Sequence, residues 1–452
     1  MKDHRLGLFS GMGMVIANMI GAGVFLSTGF MAQQLSPKQI LLAWAIGAIL
    51  ALCGARAYAE IARIVPRSGG EYRYLSTLVH PALGYLAGWA SLLLGFSAPI
   101  AIDAIAAGAF ARTLNAGINM EIFAGLLIVA LTGVHAIGLR FSVTTQNVFV
   151  IIKLVLVVGF VAVGLYGGQN SWPKWQPPSP SQGFPLGPFM QNLFYIAFAF
   201  SGWNAAVYAA SEFKDARRDV PRAMLMGCAV VGVLYLFVNW VFVANLTPEQ
   251  CKVVFTYETA RITLGHLIMK NLVGDVGAAC MSILAIIAFI SAVSAMTFLG
   301  PRVYAAMARD GFLPRMLQGK EGKPPVGAVI LQGAIALFIV FAYRIQEVLN
   351  NVGVILTLFS ALTVFSLFWV RFRRKELARP AFAALTAAFF FLIMSAVMLY
   401  YGFKQWPPLS FQSPMTWIAI CALAAVIGYF FIAKKRADAQ NGSVAVQREA
   451  AQ

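Results

Sequence analysis

Apolar residues fall in long uninterrupted blocks along this chain, and nowhere alternate with polar ones at every second position over a useful length. Twelve blocks stand out, over residues 8–33, 39–64, 81–112, 121–139, 143–167, 188–210, 221–245, 268–300, 326–343, 347–370, 380–403 and 413–433. A block of about 18 residues or more with few charges can cross the hydrocarbon of a bilayer as a helix. Lipid leaves backbone polar groups no outside partner, so only helices and closed barrels span it, and barrel strands would alternate. The pattern predicts an all-α integral membrane protein of about twelve transmembrane helices. The polar stretch from Lys434 to Gln452 predicts a disordered tail. The basic N-terminus runs into an apolar stretch that continues past Gly21 and Gly23 without a processing site. That predicts a retained first helix and no cleaved signal peptide.

Composition agrees with this picture. Of 452 residues, 60% are hydrophobic and 11% charged, whereas ordinary soluble domains carry about 25% charged residues. The net charge of +17 would point to nucleic acid in a soluble protein. Here the basic residues collect in alternate connections: Arg63, Arg67 and Arg73; Lys214, Arg217, Arg218 and Arg222; Arg371, Arg373, Arg374, Lys375 and Arg379. The intervening connections hold only scattered ones such as Lys38, Lys174 and Arg344. Positive residues favour the cytoplasmic side, so both termini are expected there, with lipid and not nucleic acid as the macroscopic partner. Of the five cysteines, four lie in apolar blocks and none forms a CxxC pair, which predicts packing residues and neither a disulfide framework nor a metal site. No metal or cofactor is expected. The connection 168–187, with Trp172 and Trp175 among prolines, predicts an extended interfacial loop.

Two blocks carry an interruption. The first contains Met19-Ile20-Gly21-Ala22-Gly23, and the sixth contains Phe198-Ala199-Phe200-Ser201-Gly202-Trp203-Asn204. Each opens a group of five blocks, and glycine-interrupted segments at matching places in two halves point to a transporter site. A broken helix exposes amides at one new end and carbonyls at the other. The first end suits a carboxylate and the second an ammonium group, so one zwitterion can be held without charged side chains. Close helix packing is the other use of such glycines. Asn204 adds a polar group that is expensive at this depth.

Two ionisable residues sit deep in apolar blocks, Lys153 in the fifth and Asp103 in the third. Burying such a charge costs about 2.5–3.5 kcal/mol on insertion scales. Lys153 is expected either to titrate or to serve as a fixed cation bracing the opened first helix. Asp103 is expected to face the site, where it would favour an amine, or else to serve as a structural partner. Ser291, Ser294 and Thr297 can line a site or bond back to their own helix. His135 is expected near a helix end with local partners, and Arg56 with Glu60 one turn later is expected to pair.

With these motifs the chain resembles the amino acid–polyamine–organocation superfamily, especially its bacterial amino-acid permeases and L-amino-acid-transporter-like members, over roughly residues 5–380. Besides the two interruptions, the resemblance rests on Pro66-Arg67-Ser68-Gly69-Gly70-Glu71-Tyr72, on the stretch from Glu212 to Pro221-Arg222, and on Gly300-Pro301-Arg302-Val303-Tyr304 with Ala308-Arg309-Asp310-Gly311. It implies a leucine-transporter-like fold: an inverted five-helix repeat in residues 1–168, its mate in 169–379, and two further helices in 380–433. It also implies that Gly21, Ala22 and Gly23 hold a substrate carboxylate, and that carbonyls near Met19, Ile20, Phe198, Ala199 and Ser201 hold its amino group. Phe198 matches the aromatic lid over the substrate. Lys153 matches a lysine standing where sodium-coupled relatives place a second sodium ion, with Ser291 or Ser294 within its reach. Ala22 departs from the family in replacing a common serine, and Asp103 has no counterpart in the pattern. The short loop 113–120 lacks the cysteine by which animal members bond a heavy chain, so no such partner is expected.

The function implied is secondary transport of amino acids, coupled to protons or by exchange, with amines as the alternative cargo. A channel would want a polar ring along a pore and a sensor a soluble signalling domain; neither is visible. No HExxH, GxSxG or Walker motif marks an enzyme.

Overall fold

In the computed structural model, which describes residues 6–137, 143–169, 171–180, 183–319, 324–405, 413–426 and 428–429, the apolar blocks become helices. The first block is two helices, α1 (Leu8–Met19) and α2 (Ala22–Met31). Next come α3 (Pro37–Ile64), the short α4 (Gly70–Leu78), and α5 (Pro81–Ala90), which passes through a π-helical stretch, Ser91–Ser97, into α6 (Ala98–Leu114). Helices α7 (Met120–Ile137) and α8 (Val143–Gly167) complete the first half. The second half opens with α9 (Leu186–Ala199) and the single turn α10 (Ala205–Tyr208). Helix α11 (Ala216–Ala244) leads through the short α12 (Pro248–Thr256), α13 (Glu258–Ile262) and α14 (Leu264–Val273) to α15 (Asp275–Arg309). The chain then forms α16 (Val326–Ala342), α17 (Ile345–Arg373) and α18 (Phe382–Gln405).

Among the described residues nine segments are long and apolar enough to cross a membrane, and the apolar helices Val326–Ala342 and Pro414–Val426 are shorter. The only β pairing described is a single bridge between Leu6 and Phe213. The expected disordered tail, Lys434 to Gln452, lies outside the described residues.

Local sequence explains most helix limits. Ser36 and Gln39 form a capping box around Pro37 at the start of α3. Asp215 caps α11 by accepting from the Arg218 amide, and Pro221 lies inside the helix at its second turn. Two limits correct the expectation. The eighth apolar block spans 268–300, but Gly274, at φ +82°, ends α14, and α15 runs on through Pro301 to Arg309. Proline removes one backbone bond, and at this buried turn packing outweighs that loss. Cys228, Cys251 and Cys421 are buried, as the packing role requires, whereas Cys280 is exposed and Cys53 half-buried.

At the middle, α1 packs on α8, α10, α11 and α15, while α2 packs on α6 and α9. Ion pairs gather at one end of the bundle. Asp310 accepts from the Tyr72 hydroxyl at 2.5 Å and pairs with Arg73 at 2.9 Å. Burial, and then the Asp310 carboxylate, push the Tyr72 phenol above its ordinary range, so it stays a donor. Arg302 meets Glu212 at 2.7 Å, and Leu6 exchanges backbone bonds with Glu212 and Lys214. The expected Arg56–Glu60 pair forms, and Glu60 also takes Arg63 and the Ala381 amide, tying α3 to the start of α18.

Where α2 passes α9 the backbones nearly touch: a Cβ on Gly23 would lie 2.5 Å from Ala199 Cα. Overpacking of this kind costs about 1–3 kcal/mol. Gly23→Val is therefore expected to lower the melting temperature of the purified protein by several degrees, whereas Gly133→Ala, where a Cβ meets nothing within 4 Å, leaves it nearly unchanged.

Candidate functional site

The first helix opens between Met19 and Ala22. Ile20 leaves helical geometry at ψ 84°, and Gly21 is fully extended before α2 begins. The second opening follows α9: Phe200 to Asn204 form turns, and Gly202 takes φ +104°, a conformation other residues rarely adopt. The two openings touch, since a Cβ on Gly202 would lie 2.8 Å from Asn18 Cβ and 2.9 Å from the Asn18 carbonyl carbon.

Breaking a helix in an apolar interior strands backbone groups that water cannot satisfy. Here three side chains from three other helices meet them. The Lys153 ammonium, from α8 and with no solvent exposure, donates to the carbonyls of Ala17 and Ile20, both at 3.0 Å. The Tyr235 hydroxyl, from α11, lies 2.5 Å from the Met19 carbonyl oxygen and 3.3 Å from that of Ala199. On the amide side, Ala22 N–H donates to Asp103 Oδ1, from α6, at 2.5 Å. The sites forecast for a substrate's two charged groups are thus partly held by the protein's own ammonium, phenol and carboxylate.

A cavity opens beside the second break. Asn18, Ser201, Gly202, Trp203 and Asn204 line it together with Phe96, Phe200, Tyr208 and Met296. Its polar corner is Glu71, buried and accepting from Tyr58 OH at 2.9 Å, Asn204 Nδ2 at 2.7 Å and Tyr208 OH at 2.7 Å. The Trp203 ring stands edge-on to Tyr58 with centroids 4.6 Å apart. Of the forecast residues, Met19, Ile20, Gly21, Ala22, Gly23, Phe198 and Ala199 do not line this cavity and are all buried.

One expectation needs correction. Ser294 does not meet Lys153; its hydroxyl lies 2.9 Å from His135 Nε2. His135 lies near the end of α7, as expected, and also reaches across to this serine on α15. The bonds of Lys153 go instead to the carbonyls that the opened first helix exposes. Ser291 is buried, and Thr297 bonds back to the Val293 carbonyl. Tyr235 and Tyr58 were not anticipated. A tyrosine in an apolar helix is ordinary packing until its direction is known; only its need for a hydroxyl partner when buried was a signal.

The comparisons with known proteins agree with a membrane carrier. The profile described as "Amino acid permease" matches residues 6–443. The chain is 26% identical over 390 residues to the b(0,+)-type amino acid transporter 1 of Mus musculus, covering 84% of this chain and 78% of the relative. It is 25% identical over 420 residues to the mouse Large neutral amino acids transporter small subunit 2, with 89% and 77% covered. To the Asc-type amino acid transporter 1 of Homo sapiens it is 25% identical over 425 residues, with 89% and 78% covered. A match over nearly the whole chain, on a fold of apolar helices with two opened ones in contact, places this multi-pass membrane protein in the amino acid permease family.

Proposed function

We propose that the protein is a secondary active transporter carrying amino acids across the cell membrane by alternating access, as a proton symporter or an exchanger. One observation carries this reading: two opened helices meet at mid-bundle and present backbone poles of opposite sign, carbonyls at the end of α1 and amides at the start of α2. An α-ammonium group fits the carbonyl side, with Ser201 and Gly202 at the cavity wall, and an α-carboxylate fits the amide side. The three relatives named above are amino acid transporters, which supports the same cargo here.

In this reading the chain forms twelve transmembrane helices, with residues 1–168 and 169–379 as inverted repeats, and both termini are cytoplasmic. The ion-paired end of the bundle, with Arg73, Lys214 and Arg302, is then the inner one. Phe198 closes the substrate from the outside. Lys153 is the brace of the opened helix: its ammonium holds two carbonyls that would otherwise be stranded.

Purified protein in liposomes is expected to show saturable, countertransport-stimulated uptake of at least one of the standard amino acids. Saturable putrescine uptake with no amino-acid uptake would select the amine reading instead. Lys153→Ala strands two buried acceptors, each worth about 1.5–3 kcal/mol when paired to a charged group. Uptake is therefore expected to fall by at least about tenfold. Residual uptake that kept its full dependence on a pH gradient would exclude Lys153 as the proton carrier, leaving the brace.

A further inference from the structure

Asp103 has no counterpart in the motifs that place the chain in its family, and its geometry is specific. It lies on α6, 1% exposed, with Oδ1 on the first amide of α2 at 2.5 Å. The whole carboxylate lies over Gly21: a Cβ there would stand 2.9 Å from Oδ1 and 3.1 Å from Oδ2. Oδ2 itself is buried and has no hydrogen-bond partner among the described residues. A structural cap would be expected to satisfy both oxygens, since a half-paired buried carboxylate is costly. This one resembles a ligand in a site that was shaped for something else.

We propose that Asp103 is a tethered occupant of the carboxylate half of the substrate site, and that a substrate's α-carboxylate binds by displacing it. The inference rests on the transport reading above. Asp103 Oδ1 already takes the first amide of α2, and a second carboxylate placed beside it would face the first at close range in a medium that screens poorly. The substrate's carboxylate therefore replaces Asp103 rather than joining it. The Lys153 ammonium and the Tyr235 hydroxyl hold other backbone groups of the same opened stretch, so the carboxylate has polar neighbours on the far side of the opening. Asp103 is an aspartate with two side-chain torsions, so it can release the amide by rotation while α6 stays packed.

This makes Asp103 a residue that sets affinity and selectivity against substrates with a free carboxylate. A carboxamide brings no negative charge to the amide side and has no need to evict it. The ratio between an amino acid and its carboxamide is the quantity to measure.

The test uses the full chain in liposomes, with the standard L-amino acids and their carboxamides. Asp103→Ala is expected to lower the KM of the acid by about tenfold, the worth of one charge-assisted hydrogen bond, while the KM of the carboxamide does not fall. Asp103→Asn keeps the shape and an oxygen for the Ala22 amide but no charge, and shifts the ratio the same way by less. If Asp103→Ala aggregates, the isosteric Asn variant decides. At the limit, wild type takes only carboxamides and the variants admit the acids, which also supports the proposal. An acid KM that is unchanged or raised in the folded variants would overturn it. An equal fall for acid and amide would overturn it too, marking a merely enlarged pocket. If neither wild type nor variant takes up any amino acid or carboxamide, the transport reading itself falls, and the proposal with it.

Discussion

An opened helix in an apolar interior must find partners for its backbone, and much of this structure follows from how it does so. The carbonyls ending α1 and the amide starting α2 cannot be left to lipid, where each unmet group costs several kcal/mol. Lys153 from α8, Tyr235 from α11 and Asp103 from α6 converge on a stretch only six residues long, Ala17 to Ala22. Each bond ties a helix that is remote in sequence to the same point. The second opening is pressed against the first through Gly202 and Asn18. The central arrangement is thus fixed by polar bookkeeping, with apolar packing filling the space around it.

The ends of the bundle are held differently. Arg73–Asp310 and Arg302–Glu212 are partly exposed, and Arg374–Glu376 lies in an open loop. Pairs of this kind contribute about 0–1 kcal/mol each, so they can part and re-form at little cost. A buried ammonium on two carbonyls cannot. A rigid middle with labile ends suits a carrier that keeps its binding position while opening first to one side and then to the other.

Much of the fold was legible in the sequence, because transmembrane helices announce themselves by length and apolarity. The two openings were legible as well, since glycine at Gly21, Gly23 and Gly202 left a mark that few other uses of backbone would. Lys153 stood out through the cost of its burial. What could not be read was direction. Ser291, Ser294 and Thr297 sit three residues apart on one helix face, yet their partners differ entirely: Ser294 turns to His135 and Thr297 to its own backbone. Tyr235 looked like any aromatic in an apolar run. Pro301 looked like a helix end, and tertiary packing carried the helix through it. These outcomes depend on helix rotation and neighbour identity, which a single sequence does not encode locally.

Asp103 shows why direction matters for function. From the sequence it was an acid at depth, equally suited to attracting an amine or to propping up backbone. In place, its carboxylate stands on the amide side of the opened helix while the Lys153 ammonium stands on the carbonyl side. Together they reproduce, with two side chains, the charge pattern that an amino acid carries within one molecule. An empty carrier must not strand its polar site in an apolar interior, and a loaded one must not hold its cargo so tightly that release stalls. A side chain that mimics the cargo's carboxylate, as Asp103 is proposed to do, serves both needs: it satisfies the amide side when the site is vacant and yields it when the site is full, while Lys153 stays on its carbonyls. On that argument the free energy of binding is the difference between two nearly equal sets of bonds, which keeps affinity moderate and exchange fast.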